Sequence, residues 1–358
     1  MKVLSGYLLR EFFKLLLFCE AVFLFLFLTV DFLQKIDNFI NVGASRETIL
    51  LYFAFKMPYV AMSMLPPAVL ISVIILFSSM QKRNEITALK ASGLSVLNLA
   101  RTISLASLMI VAAVFLFSET VVPYTSSESN RIWSVDVQKR DPGLFYGRSE
   151  IWYRGRNSVY WIPQFDAGER IMIHPTFYFF DDASGVTKRI EGRRGVWKGD
   201  AWHIEEAILL EQAQDGSFDV SRFETYALTI PETPETFTKV IRKPEEMSYW
   251  QLKRHAETVG REGYNNTRYL VDMYIKIAFP FISLVLLMIG IPLALNLKKG
   301  GTPLAVSVGM GVCFLYLLTM GVSRSLGLSG VLPPLLAAWM ANLIFFLAGA
   351  YLLAQMEQ

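Results

Sequence analysis

The side chains able to do covalent or metal chemistry are few, and their spacing does not fit that chemistry. His174, His203 and His255 are scattered along the chain. "WHIEEA", 202–207, lacks the H-E-x-x-H spacing that sets two imidazoles on one helical face for zinc. There is no G-x-x-x-x-G-K-[ST] loop to cradle a nucleotide phosphate and no G-x-S-x-G elbow to present a serine nucleophile. Cys19 and Cys313 both fall in apolar runs, so no disulfide framework stands between them. These patterns assign no catalytic residue, no metal ligand and no cofactor to this chain.

A different chemistry is open to ionisable groups set in or beside apolar runs, where a charge is costly and by default points to function. Glu20 lies well inside the first such run, with Asp31, Lys35 and Asp37 at its far end; Lys56 opens the second, Lys276 opens the fourth, and Arg324 ends the fifth. Lys35, Lys56, Lys276 and Arg324 are candidate ligands for the phosphate of an anionic lipid, because ammonium and guanidinium groups pair well with phosphate. Long basic side chains at span ends can equally snorkel to the interface as plain anchors.

The most helix-prone polar segment lies between two apolar runs, "MQKRNEITALKASGLSVLNLAR", residues 80–101. Glu85 and Leu89, like Ile86 and Lys90, stand four apart, and Gly93 is a natural helix stop. Glu85 lies near the start, where the helix dipole favours an anion. A short amphipathic helix tied to a span on each side can be a surface anchor, or a knob that fits a groove on a partner.

These groups are held by long apolar elements. The chain has 358 residues, 53% hydrophobic and 18% charged. Of its 34 Lys plus Arg and 31 Asp plus Glu, 41 lie within 124–262, so charge is segregated into the middle of the chain. A bilayer core needs about 20 apolar residues in a helix. Six segments qualify: about 15–33, 57–81, 102–118, 277–297, 300–323 and 325–356, the last with a loop-like Leu326–Pro334 portion. Pro66–Pro67, Pro280 and Pro292 are expected to kink spans two and four. No small-residue cleavage motif follows the first run, which reads as a retained anchor.

Lys and Arg near the span ends set orientation. One side collects Lys2, Arg10, Lys14, Lys82, Arg83, Lys90, Arg101, Lys298 and Lys299; the other collects Lys35, Arg46, Lys56 and Arg324. The richer side is read as cytoplasmic, with both termini, and the odd number of spans before the middle domain places it opposite, which in a Gram-negative cell is the periplasm. A net charge of +3 without basic blocks excludes nucleic acid as the partner.

Within 124–262, β-branched and aromatic runs alternate with turns. The turns fall around Arg156, at 182–185, 198–200 and 214–216. Short strands at this spacing suggest a sandwich or jelly-roll-like all-β domain, and 245–263 reads as a helix returning to the membrane. The expected fold is a six-helix (3+3) membrane protein with an inserted jelly-roll-like domain: 1–123, 124–262 and 263–358.

"MLPPAVLISVI…QKRNEITALKASGLS", "VDMYIK" followed by "FPFISLVLLMIGIPLAL", and the 3+3 arrangement resemble the lipopolysaccharide export permeases LptF and LptG over nearly the whole chain. "EIWYRGRNSVYWI" looks like the opening strands of the LptG β-domain. The resemblance implies a permease subunit of an ABC-type exporter, paired with an LptF-like subunit, an LptB ATPase dimer that holds ATP and Mg, and LptC, with lipopolysaccharide as substrate. It implies that residues about 82–93 are the coupling helix docking on the ATPase. Arg83, Glu85, Ile86, Ala88, Leu89, Lys90 and Gly93 are then the coupling residues, with Glu85 as polar anchor and Ile86, Ala88 and Leu89 as packing face. An LptF role, a membrane sensor, or a force-transmitting subunit that moves no lipid are the alternatives.

Overall fold

The structure is a computed structural model and describes residues 2–93, 95–138, 149–155, 157–166, 168–181, 185–213, 217–238, 243–261, 265–296 and 301–357. Lys298, Lys299, Arg156 and the turn residues 182–184 and 214–216 lie outside these. The chain divides into two compact units: Met1–Ile40, Ser45–Ser129 and Arg242–Gln358 form one, and Asn41–Ala44 with Asn130–Ile241 form the other.

The first unit is helical. Its elements are α1 (Lys2–Val42), α2 (Arg46–Lys82), α3 (Glu85–Ala91), α4 (Val96–Thr120) and α5 (Val122–Arg131), then α7 (Tyr249–Arg261), α8 (Thr267–Ala278), α9 (Phe281–Asn296), α10 (Gly301–Leu328) and α11 (Pro334–Ala354). α6 (Pro234–Thr238) belongs to the second unit. Among the described residues five helices, α1, α2, α4, α10 and α11, are long and apolar enough to cross a membrane, and α8 with α9 pass the same test together as a bent pair, which makes six if that pair is one span. α2 runs unbroken through Pro58, Pro66 and Pro67. The fourth span breaks instead, by 50°, between α8 and α9 at Phe279–Pro280. Proline lacks the N–H that would continue the ladder, and its ring crowds the preceding turn.

The core of this unit is built on α2 and α9. Val69, Leu70, Val73, Ile74 and Phe77 meet Leu286, Leu287, Ile291 and Leu295, all buried. α1, by contrast, leaves Leu17, Phe18, Phe25, Leu26 and Leu33 exposed, as a helix facing lipid or a partner does. Gly327 shows why small residues are needed between α10 and α11: a Cβ there would stand 2.4 Å from the Ala337 Cβ. The segment 249–261, expected within the inserted domain, belongs to the helical unit. Its apolar side, Leu252 and Ala256, is fully buried, with Leu252 clustering with Met273 of α8.

The second unit is an antiparallel sheet: β1 (Ser149–Arg154), β2 (Ser158–Asp166), β3 (Ile171–Ile173), β4 (Thr176–Phe180), β5 (Val186–Glu191), β6 (Arg194–Lys198), β7 (Ala201–Gln212) and β8 (Phe218–Leu228). β3 and β4 pair with the same edge of β2 in one continuous register, Ile173 with Gln164 and Thr176 with Trp161. They are one strand interrupted at His174–Pro175. β5 and β6 are likewise one strand interrupted at Gly192–Arg193, since both follow a single register on β7. The sheet is therefore a six-strand meander in which each strand pairs with its neighbours in sequence. That order differs from a jelly roll, whose Greek-key crossings place non-sequential strands side by side.

The two interruptions fall in line with Glu206 of β7, and together they crease the sheet. His174 (φ 50°) and Glu206 (φ 51°) adopt left-handed backbone, and the buried positions of β7 change parity from Trp202 and Ile204 to Ala207 and Leu209. At the crease Gly192 sits so close to β7 that a Cβ would meet the Ile204 methyl at 2.1 Å. The folded face encloses Tyr160, Phe177, Ile190 and Trp202, and is closed by Ile230 and Phe237 from the segment after β8. Trp202 donates its indole N–H to the Glu232 carbonyl (2.9 Å), and Tyr160 donates its hydroxyl to the Glu232 carboxylate (3.0 Å), pinning that segment in place.

Candidate functional site

α3 is the short helix that the sequence marks between two spans. Its turn from α2 needs Asn84 in left-handed backbone (φ 59°), a conformation asparagine tolerates. Its exit is Gly93 at φ 80°, with the Gly93 N–H donating to the Lys90 carbonyl (3.0 Å). The helix has two unlike sides. Ile86 is 6% exposed and sits in the core of the helical unit, with Leu89 packed against that core. Thr87, Ala88, Lys90 and Ala91 point outward, with Arg83 and Asn84 beside them. Glu85 is half-buried: Tyr7 of α1 donates its hydroxyl to it at 3.4 Å, and Arg83 lies 3.8 Å away. The expected packing face is thus divided. Ile86 and Leu89 root α3 in the chain's own helices, and Ala88 stands free.

The candidate lipid-binding cations form two groups. Lys35 and Lys56 converge from α1 and α2 on one carboxylate, Asp31: Lys35 Nζ lies 2.9 Å and Lys56 Nζ 2.7 Å from its oxygens. Both ammonium groups also donate to the Tyr52 hydroxyl, at 2.6 and 3.2 Å. Spacing explains the arrangement: Asp31 and Lys35 are one helical turn apart, as are Tyr52 and Lys56, and the two turns face each other. One carboxylate thus faces two ammonium groups. Asp37, also singled out from the sequence, is exposed.

The second group surrounds a cavity of about 260 Å³. Arg324 of α10 donates through Nε (3.0 Å) and an Nη (2.7 Å) to Asp272 of α8, a buried carboxylate whose other oxygen has no hydrogen-bond partner among the described residues. Lys276, one turn on from Asp272, lines the same cavity with Arg324, Tyr59, Met62 and Met320. Among the described residues Lys276 enters no ion pair, but Glu119, Glu245 and Asp272 are close enough to act on its charge. Sequence reasoning singled out both cations of this group but not Asp272 or Glu245. An acidic residue one turn before Lys276 was the available signal.

Two features of the site were not read from the sequence. Asn342 of α11 donates to the Ala278 carbonyl (2.8 Å), which the break in span four strips of its helical partner, and accepts from the Tyr316 hydroxyl (2.7 Å). Ser323 donates to the Ala337 carbonyl at 2.5 Å. α8, α10 and α11 are thereby cross-bonded around the bend. Glu20 remains as the sequence left it: both carboxylate oxygens are enclosed, with no hydrogen-bond partner among the described residues. The histidines do not converge. His174 lies at the crease, His203 faces Val196 across β6 and β7, and His255 stacks edge-on against Tyr269 at 4.6 Å. Cys19 and Cys313 are buried free thiols.

A family model described as lipopolysaccharide export system permease LptF/LptG matches residues 6–355. Two curated proteins, from two strains of Escherichia coli and both named lipopolysaccharide export system permease protein LptG, are 21% identical over 336 residues, covering 90% of this chain and 89% of theirs.

Proposed function

The chain belongs to the LptF/LptG family of lipopolysaccharide export permeases, and on that footing we propose that it is the LptG-type subunit that couples a partner ATPase to extraction of lipopolysaccharide from the inner membrane. The relatives it matches carry the LptG name, which supports that role over LptF. The observation that carries the coupling is the two-sidedness of α3. A helix that transmits force must be fixed to the elements it moves and still present a surface to what moves it. Ile86 and Leu89 supply the fixing, against the core that α2 and α9 share. Arg83, Glu85, Ala88 and Lys90 supply the surface, and the left-handed turns at Asn84 and Gly93 hold it at a set angle.

In this reading ATP and Mg sit in an LptB dimer on the cytoplasmic side, where the termini also lie, and the β-unit stands in the periplasm with LptC as a further partner. Closure of the ATPase pushes α3, and α2 and α4 carry the movement into a cavity shared with an LptF-like subunit. An acyl chain costs roughly 0.8 kcal/mol for each CH₂ exposed to water, so a multi-chain lipid must be handed on under cover. Lys35, Lys56, Lys276 and Arg324 meet its phosphates. The convergence of Lys35 and Lys56 on Asp31, and the cavity beside Lys276, support that assignment. The β-unit's folded face is filled by Tyr160, Phe177, Trp202 and Phe237, which favours a supporting part for this domain over a conduit.

Purification in mild detergent tests the coupling. A P-loop ATPase should co-purify with the chain, and Glu85→Ala should weaken that association. Recovery of the chain without such a partner, or an unchanged yield of ATPase with Glu85→Ala, overturns the reading.

A further inference from the structure

α7 carries a surface that none of the foregoing uses. Its packed side holds Leu252 and Ala256, with His255 against Tyr269. On the opposite side Trp250 is 60% exposed, an unusual exposure for so large an apolar ring. Lys253, Arg254 and Arg261 are also exposed, with Glu257 the carboxylate beside them. At 100° per residue Trp250, Arg254 and Arg261 fall within one narrow stripe. Lys253 Nζ stands over the Trp250 ring at 5.9 Å, and Arg254 Nε reaches the Trp250 carbonyl at 3.5 Å. Among the described residues the patch therefore carries three cations against one anion around an exposed indole.

The start of α7 is tied by a bond to the end of an apolar helix. The backbone N–H that opens α7, at Tyr249, donates to the Glu119 carboxylate at 2.5 Å. Glu119 is the residue at which the apolar run of α4 ends, one position past Ser118. Trp250 thus follows immediately on a residue bonded to the end of a span. From there α7 runs antiparallel to α8, as the contacts of His255 with Tyr269 and of Asn266 with the Ala256 carbonyl require. Its later residues are carried away from the span end at about 1.5 Å per residue along the helix. A tryptophan at that level, ringed by lysine and arginine, has the composition of an interfacial anchor: the indole suits the headgroup layer and the cations suit lipid phosphates.

We propose that Trp250, Lys253 and Arg254 form an interfacial anchor, in which the indole enters the headgroup layer of the leaflet where α4 ends and the two cations bind phospholipid phosphates there. The anchor would hold the return helix at constant depth, so that the bend at Phe279–Pro280 has a fixed outer arm. It stands on the geometry of α7 and its contacts with α4 and α8, and does not depend on the export reading.

The test uses the full chain in phospholipid nanodiscs, with Cys19→Ala and Cys313→Ala removing the native thiols. Nitroxide labels at Trp250→Cys and, in a second protein, at Thr258→Cys are relaxed by oxygen, which concentrates in the bilayer, and by a water-soluble nickel chelate. The oxygen-to-nickel ratio should be severalfold higher at 250 than at 258. Equal ratios would show a water-exposed surface, and a label at 250 shielded from both relaxants would show a protein partner covering it; either overturns the proposal. A label-free arm compares quenching by brominated phosphatidylcholine in the native chain and in Trp250→Phe, which should lose a quenchable component; an unchanged quenched fraction overturns it too. For the phosphate contacts, Lys253→Glu with Arg254→Glu should shift the label at 250 towards water in nanodiscs containing phosphatidylglycerol. No shift there removes the charge recognition from the proposal.

Discussion

Asn342 gives its side-chain amide to the Ala278 carbonyl across 2.8 Å, at the point where the fourth span changes direction. At the break the Ile282 N–H donates to the Phe279 carbonyl instead, which leaves the Ala278 carbonyl without its usual donor, and α11 supplies one. The bend is thereby part of the fixed structure: its exposed backbone group is satisfied by a neighbour that Tyr316 holds in the right orientation. Asn342→Leu keeps most of the volume and leaves both Ala278 and Tyr316 unsatisfied. It should lower stability by about 1–3 kcal/mol, read as a lower melting temperature by size-exclusion after heating. An unchanged melting temperature would show that water or lipid groups satisfy the bend instead.

Asp31 stands between Lys35 and Lys56. Asp31→Asn leaves two ammonium groups facing each other in a half-buried place, and should destabilise the chain by about 1–3 kcal/mol. Adding Lys56→Met should restore part of the loss, because it removes the repulsion as well as the charge to be hydrated. Thermal melts of the single and double variants form the comparison; a double variant no more stable than the single one would deny the triad its electrostatic role.

Gly327 and Ala337 are packed with no room between them. Gly327→Ala should drive α10 from α11 and cost about 1–3 kcal/mol, whereas Gly311→Ala, where an added Cβ meets nothing within 4 Å, should leave the isolated chain's stability within about 0.5 kcal/mol. The pair of melts separates packing inside the chain from packing against another subunit.

The two sides of α3 should fail in different ways. Ile86→Ala opens a cavity in the chain's own core and should cost about 2–5 kcal/mol of stability. Ala88→Arg, on the exposed side, should leave melting unchanged and block capture of the ATPase. Co-purification and melting measured on the same samples decide it: a stable Ala88→Arg variant that still captures the ATPase places the contact elsewhere.

A benzoylphenylalanine in place of Met320, on the wall of the 260 Å³ cavity, should crosslink to lipopolysaccharide in cells, and Lys276→Gln should reduce that yield. Equal yields with and without Lys276 would make the lysine a partner for Glu119, Glu245 and Asp272 only.

The sequence by itself marked the apolar runs, the presence of an inserted β-rich domain and a short helix between two of the runs. Each follows from local composition: about twenty apolar residues suffice for a bilayer crossing, turn residues punctuate strands, and a glycine ends a helix. It could also name Lys35, Lys56, Lys276 and Arg324, since charge in an apolar run is visible without a fold. Tertiary structure alone decided which partners these cations take, because Asp31 reaches Lys56 and Asp272 reaches Arg324 across 25 and 52 residues of chain. It decided that Ile86 turns inward while Ala88 turns outward, a choice periodicity leaves open when apolar side chains lie on both faces of so short a helix. It also decided that Pro280 breaks its span while Pro66 and Pro67 do not. The carbonyl freed at that break takes its donor from Asn342, 64 residues away, and that distance in sequence is why no local pattern could announce it.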